Sequence, residues 1–511
     1  MERLTAVLPW IVLAGLAAWV TYDLTQRKHA ILRNFPIVGH FRYWLEAIGP
    51  ELRQYIVTNN NEERPFSRDQ RRWVYASSKR ENSYFGFGSD NEMEMAPNYL
   101  VIKHQAFPVH SPHLGEPGYD PDHVIPAAKV VGGFRGRPRA FRPASVVNIS
   151  GMSFGSLSGP AVEALNRGAK LAGCLQSTGE GGIASHHLHG GDLIWQVGTG
   201  YFGCRELDGR FSMERLKERV AQTPQIRAIE IKLSQGAKPG LGGLLPQAKI
   251  TREVAAIRGI RLDQDCVSPA AHTAFRDADS LLDFVEAIAA ETGLPVGIKS
   301  AVGDSSFWRQ LASLMAVGGR GVDFITIDGG EGGTGAAPLV FSDHVALPFK
   351  VAFGRVHRIF AEHTLHERVV FAGSGKLGFP ESALFAFALG CDLVNVGREA
   401  MIAVGCIQAQ RCHTNHCPTG VATQNRWLVR GLDPTLKAVR VANYIVNLRQ
   451  ELLALSRACG AEHPALVTAD QLELLDGRFG SRTVADLFGY EAGDGVPGSK
   501  DRDEIRRIMS R

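Results

Sequence analysis

The sequence predicts an α/β protein built on a (β/α)8 TIM barrel, with an N-terminal transmembrane helix and a short helical C-terminal extension. Three observations predict it. After about residue 140, short apolar runs alternate with helical stretches, the pattern of parallel βαβ units. Many of these runs end in glycine-rich loops, at the strand ends where a barrel carries its chemistry. The chain also opens with an uncharged apolar run long enough to cross a bilayer. Composition permits this reading: 511 residues, 44% hydrophobic and 21% charged, with 56 glycines, exclude collagen-like, disordered and disulfide-scaffold classes. A balance of 56 basic and 52 acidic residues, with no basic stripe interleaved with aromatics, gives no reason to expect nucleic acid.

Residues 1–33 are read as a membrane anchor. From Leu4 to Tyr22 the chain runs LTAVLPWIVLAGLAAWVTY, 19 residues without a charge. At 1.5 Å per residue such a helix just spans the roughly 30 Å of hydrocarbon in a bilayer. Trp10 lies inside the run, and Trp19 and Tyr22 sit where interfacial aromatics anchor a span. Arg27, Lys28 and Arg33 follow it, against Arg3 in front, so a single pass with the bulk of the chain in the cytoplasm is expected. A cleaved signal peptide and a buried core helix are the competing readings. Residues 34–95 read as a helical linker and an extended segment, with an aromatic cluster at Tyr84, Phe85 and Phe87.

Residues 96–430 carry the barrel. Its candidate strands are 145–150, 173–178, 194–199, 228–234, 295–301, 323–328, 368–373 and 392–397. A doubly wound open sheet is the rival, but no GxGxxG opens a helix after the first strand. Strand six leads into Gly332, Gly333 and Thr334, strand seven into Gly373, Ser374 and Gly375, and strand eight into Gly397 and Arg398. Glycines there let backbone N–H groups approach a phosphate, and Arg398 adds a bidentate donor; tight turns alone are the bland alternative. Lys232 and Lys299 stand near the ends of separate strands, where alternation turns them into the barrel mouth. A buried ammonium there calls for an anion, either a ligand such as a flavin carbonyl region or a dicarboxylate, or a structural carboxylate. Residues 431–511 are read as the helical extension.

The sharpest motif is GCIQAQRCHTNHCPTGVATQ, which spaces Cys406, Cys412 and Cys417 as C-x5-C-x4-C. Three close thiolates suit an iron–sulfur cluster, and the lack of a nearby fourth cysteine favours three irons. Zinc held by these thiols with His413 or His416 competes. The other five of the eight cysteines are scattered and read as small buried hydrophobes.

Together with MSFGSLSGPAVEALNRGAK (152–170), STGEGG (177–182), IKLSQGAKPGLGGLLPQAKI (231–250) and DGGEGGTGAAP (328–338), this motif closely resembles the synthase domain of glutamate synthase, over roughly residues 95–460. The resemblance implies an FMN-containing barrel with a [3Fe-4S] cluster on Cys406, Cys412 and Cys417. It implies reductive amination of 2-oxoglutarate to glutamate with ammonia, through 2-iminoglutarate. Met152, Ser153 and Gly155 would lie against the flavin ring, Gln196 and Lys299 would face flavin or keto acid, and the three glycine loops with Arg398 would take the flavin phosphate. Lys299, Lys232 and Glu180 would be the catalytic residues, with Glu180 positioning or protonating the substrate nitrogen, and Gln235 and Lys238 would bind the substrate. An electron-donor protein, ferredoxin or a reductase subunit, is implied, and possibly a separate amidotransferase subunit, because the family's amino-terminal amidotransferase is not recognisable here. Arg398-Glu399-Ala400 replaces the family's usual Thr-Ala-Pro stretch, which leaves open another keto acid or an N-alkyl-glutamate product. A membrane-held flavin sensor without turnover is the reading from a different class.

Overall fold

Eight short runs, each buried along nearly its whole length, close into one parallel barrel. They are Val147–Ile149 (β1), Gln176–Ser177 (β2), Leu193–Val197 (β3), Ile226–Lys232 (β4), Val296–Ser300 (β5), Phe324–Asp328 (β6), Val370–Ser374 (β7) and Leu393–Val396 (β8). Each pairs with its sequence neighbours, and β8 closes onto β1. Every expected strand is present, so the open-sheet alternative is excluded. The computed structural model describes residues 2–26, 29–57, 63–81, 88–89 and 91–510. Arg27 and Lys28, and the aromatics Tyr84, Phe85 and Phe87, lie outside the described residues. The chain divides into two compact units at Gln70/Arg71, so residues 34–70 and 71–95 belong to different units.

In the first unit, α1 (Glu2–Thr25) is followed by α2 (Ala30–Asn34) and α3 (Val38–Leu52). The stretch Val7–Thr25 is long and apolar enough to cross a membrane. Its one acidic side chain, Asp23, is buried and accepts a hydrogen bond from the Ile37 amide at 2.9 Å. A ring nitrogen of His40 lies 2.8 Å from the same carboxylate, which ties the end of α1 to the start of α3.

In the second unit, the Gly159–Ala172 helix follows β1. Ser158 caps it through the Ala161 amide, and Gly173 ends it in the left-handed conformation. The Pro434–Ala458 helix packs on it. A Cβ on Gly168 would stand 2.7 Å from Val441, so glycine is what permits the close approach. The C-terminal extension is helical with a small addition: strand Leu472–Leu475 pairs antiparallel with Tyr99–Ile102 and with Ser481–Thr483.

The barrel floor is plugged by Ala127, Val131 and Phe141, which meet Ile194, Ala228, Phe324, Val370 and Leu393. Above this layer Gly297 makes room for Phe324, whose ring would stand 2.4 Å from a Cβ at that position. Gly297→Ala should therefore overpack the core and cost about 1–3 kcal/mol. Chemical denaturation would show it as a lower midpoint with an unchanged slope.

Candidate active site

The mouth of the barrel is crowded with charge. Parallel pairing of β4 with β5 sets Lys232 directly beside Lys299. Two ammonium groups so placed repel, and both side chains are buried. Each is answered by its own carboxylate. Lys232 Nζ lies 3.0 Å from Glu180, in the loop after β2, and Lys299 Nζ lies 3.5 Å from Asp328, at the end of β6. Burial would push the Lys299 pKa down, but Asp328 and Glu230 outweigh it and hold the pKa above its ordinary value.

Glu180 serves a second lysine, Lys238 at 3.6 Å, whose ammonium also donates to the Gly242 carbonyl at 3.2 Å. Burial acts to raise the Glu180 pKa, yet Lys232 and Lys238 together bring it down to about 2. At neutral pH it is therefore a carboxylate, which suits it to positioning. Gln235 accepts a hydrogen bond from Lys232 at 2.6 Å, so it orients that ammonium. Gln196 turns its amide down the barrel to Glu230 at 2.6 Å, and Glu230 also accepts from Thr326 at 2.7 Å.

Met152, Ser153 and Gly155 form the loop after β1. Arg258 donates to the Phe154 carbonyl in this loop at 3.0 Å, and its charge acts on Glu180. A Cβ on Gly179 would stand 2.5 Å from the Ser153 nitrogen, so the loops after β1 and β2 lie against each other. Between them, the position of a Gly151 Cβ is ringed at 3.0 Å by Ser177 Oγ and Gln196 Nε2. The buried Ser177 hydroxyl has no hydrogen-bond partner among the described residues.

The three glycine loops converge. The Gly329 amide donates to the Ser374 carbonyl, the Gly332 amide to the Gly329 carbonyl, and a Gly375 Cβ would stand 3.2 Å from Gly329. Arg398 donates to the Glu331 carbonyl, and its stem occupies the place of a Gly333 Cβ at 2.6 Å. Thr334 accepts from the Ala336 amide at 3.2 Å, Ser374 Oγ lies 3.5 Å from Ser150 Oγ, and Gly397 opens the Arg398–Val404 helix.

The cysteine loop packs beside these: Cys412 Cβ is 3.1 Å from the place of a Gly335 Cβ. Burial, with Cys412 and Cys417 nearby, pushes the Cys406 thiol up to about 12. Burial would raise Cys417 too, but backbone N–H groups of Ala422, Thr419 and Val421 bring it below its usual value. The Gln408 amide donates to Cys406 Sγ at 3.4 Å. Among the described residues no three Cys, His, Asp or Glu side chains already stand at metal-binding distances. Lys249, buried, donates to the Ser156 and Cys412 carbonyls at 2.7 and 3.1 Å and so joins the loop after β1 to the cysteine loop.

Sequence reasoning singled out neither Glu230, Asp328, Arg258 nor Lys249 as site residues. Glu230 was within reach, because it stands two residues before Lys232 on the same strand face. Arg258 lies in a helical turn between strands and carried no such signal, while Lys249 stands inside the motif 231–250 but was not singled out there.

Residues 138–462 match the model of the conserved region in glutamate synthase. The glutamate synthase large subunit-like protein YerD of Bacillus subtilis strain 168 is 39% identical over 481 residues, covering 88% of this chain and 90% of that one. The chain belongs to the glutamate synthase family. Membership makes it an oxidoreductase of amino and keto acids. The archaeal glutamate synthase [NADPH] of Methanocaldococcus jannaschii is 36% identical over 317 residues, 61% of this chain and 59% of the relative. The glutamate synthase family chain thus spans under two thirds of that relative's length. Among solved structures, a mandelate oxidase variant with an FMN adduct aligns at a TM-score of 0.41 and 16% identity, over 78% of this chain and 93% of that one.

Glu180→Gln should cost this family member about 3–5 kcal/mol at pH 7, because two buried lysines lose their carboxylate. The Glu180 contribution is fully present above the unfolded carboxyl pKa, about 4.3, and is lost as pH falls toward the folded value of about 2. Denaturation midpoints of the two proteins should therefore converge as pH is lowered through that window. A gap that stays constant would remove the charge assignment.

Proposed function

We propose that this chain is a membrane-anchored FMN and iron–sulfur oxidoreductase that reductively aminates 2-oxoglutarate to glutamate. The observation that carries the substrate is a charge imbalance. Lys232, Lys238 and Arg258 surround Glu180 as their one shared carboxylate, and the Lys299–Asp328 pair beside them is neutral. With Glu230 included, Lys232, Lys238, Lys299 and Arg258 face Glu180, Asp328 and Glu230, an excess of one positive charge that favours an anionic keto acid. Ammonia would be taken from solution or from a separate amidotransferase subunit, and electrons from ferredoxin or a reductase subunit.

The residues fit both cofactors. For FMN, Gly151 keeps the backbone bare beside Gln196 and Ser177, whose atoms lie 3.0 Å from where a Cβ would stand, and the buried Ser177 hydroxyl has no partner among the described residues. Met152 to Gly155 would hold the ring, with Gln196 below it, and the loops at Gly332 to Thr334, Gly373 to Gly375 and Gly397 with Arg398 would hold the phosphate. For a [3Fe-4S] cluster, Cys406, Cys412 and Cys417 supply three soft donors from one loop, near enough to act on one another's charge. Backbone N–H groups already aimed at Cys406 and Cys417 suit thiolate ligands. When bound, the flavin supplies hydride to carbon and the cluster supplies entry for single electrons.

The protein's own part is charge placement. Lys238 and Arg258 bind the carboxylates of the keto acid, while Lys232, held by Gln235, faces its functional carbon. Glu180 keeps both lysines in place and accepts hydrogen bonds from the incoming nitrogen. Lys299 stays protonated and provides a fixed cation for negative charge at the ring it faces. The closed Gln196–Glu230–Thr326 chain seals the floor of the site against water.

Anaerobically purified full-length protein should show a flavin spectrum and about three irons per chain. After reduction, the flavin should reoxidise only when 2-oxoglutarate and ammonium are both present. Turnover with another keto acid or with an alkylamine alone would replace the substrate assignment, and zinc in place of iron would remove the cluster. Lys238→Met should raise KM for 2-oxoglutarate at least about tenfold with the flavin spectrum unchanged. Cys412→Ser should lose the iron and keep the flavin.

A further inference from the structure

Helix α3 carries an apolar face that no described residue of its own unit covers. Val38, Phe41, Leu45 and Leu52 recur at the spacing of a single helix face, with Trp44 beside them. All five are exposed, Val38 at 74% and Trp44 at 57%. Phe35 before the helix, and Ile56 and Val57 in the turn after it, extend the face at both ends and are exposed too. Eight large apolar side chains exposed along one helix and its two ends are more than soluble surfaces ordinarily show. The other side of the helix is different in kind. Gly39 packs against Leu32, His40 bonds Asp23, and Arg42 and Glu46 pair at the edge of the apolar face at 2.8 Å.

The position of α3 is set by α1. Asp23 stands two residues before the end of the apolar stretch Val7–Thr25, and it holds both the Ile37 amide and His40. Trp19, one turn earlier, meets the His40 ring edge-on, with centroids 5.3 Å apart. The start of α3 is thereby fixed at the level where α1 would leave the hydrocarbon. Tryptophan, histidine and a hydrogen-bonded aspartate at that level, followed by an amphipathic helix with a charged edge, describe an element that lies in the headgroup layer.

We infer that α3 is an interfacial helix, whose face of Phe35, Val38, Phe41, Trp44, Leu45 and Leu52 is buried in the lipid headgroup and upper acyl region of the same membrane that α1 spans. This rests on the membrane reading of α1. The anchor is then two joined elements at a fixed angle, one spanning and one lying flat, held by the Asp23–His40 bond.

The test uses the full chain in lipid nanodiscs, with a fluorescent amino acid placed at Trp44 or, separately, at Leu16 in the middle of α1. The lipid carries a nitroxide quencher either at the headgroup or near the end of the acyl chain. At Trp44 the headgroup nitroxide should quench about twofold or more, and the deep nitroxide much less; at Leu16 the order should reverse. No quenching at Trp44 while Leu16 is quenched by the deep label overturns the interfacial helix and leaves the span intact. No quenching at either position overturns the membrane reading itself. Self-quenching at Trp44 that grows with protein per disc assigns the face to a second copy and overturns the inference. The double variant Phe41→Glu, Leu45→Glu should lose the Trp44 quenching and keep that at Leu16. If both signals persist, the face is not what seats the helix.

Discussion

The register that places Lys232 beside Lys299 on neighbouring strands is the constraint around which the site is arranged. Like charges side by side in a buried barrel mouth are tolerated only if each is matched, and the matching anions come from different loops. Glu180 comes from the loop after β2, and Asp328 from the end of β6. The loop geometry follows from this need. Asp328 also accepts the Gly236 amide at 3.1 Å, and Gly236 sits so close to the Gly329 carbonyl that a Cβ would lie 1.7 Å from it. The loops after β4 and β6 are thus clasped together by the charge that one lends the other.

This clasp explains why the site combines rigidity with an excess of positive charge. The Gln196–Glu230–Thr326 chain below it is satisfied within the protein, and the pairs above it are satisfied one to one except around Glu180. A polar network that is complete except at one point directs its remaining field at that point. The cysteine loop joins this arrangement through Lys249 and Gly335, so the proposed electron entry and the proposed flavin site share a wall.

The barrel itself was legible in the chain because fully buried parallel strands must be written as short apolar runs, and their loops as glycine-rich turns. All eight strands were readable within a few residues. Legible too were Lys232 and Lys299, because a charge inside an apolar strand is conspicuous, and the cysteine triplet, because its spacing is local. Gln235 and Gln196 were legible as polar residues in place, but whom they would bond was not. Gln196 answers to Glu230 across a strand pair, and Gln235 to Lys232 across a turn.

What the sequence by itself determined is periodic or local: the barrel, its eight strand ends, the thiol spacing and the apolar run of α1. What only the tertiary structure decided is who neutralises whom. Glu180 was expected to position or protonate the substrate nitrogen, and its partners are two lysines, one at the end of β4 and one in the loop after it. Arg258 reaches the site from a helical turn whose sequence is ordinary, Lys249 from a motif whose partners the sequence does not name, and Asp23 ties the start of α3 to α1. Strand alternation and motif spacing depend on a few residues along the chain, and a sequence displays them. The ionisation and partner of a buried charge depend on every charge that the fold brings within a few ångströms, and those are distant in the chain.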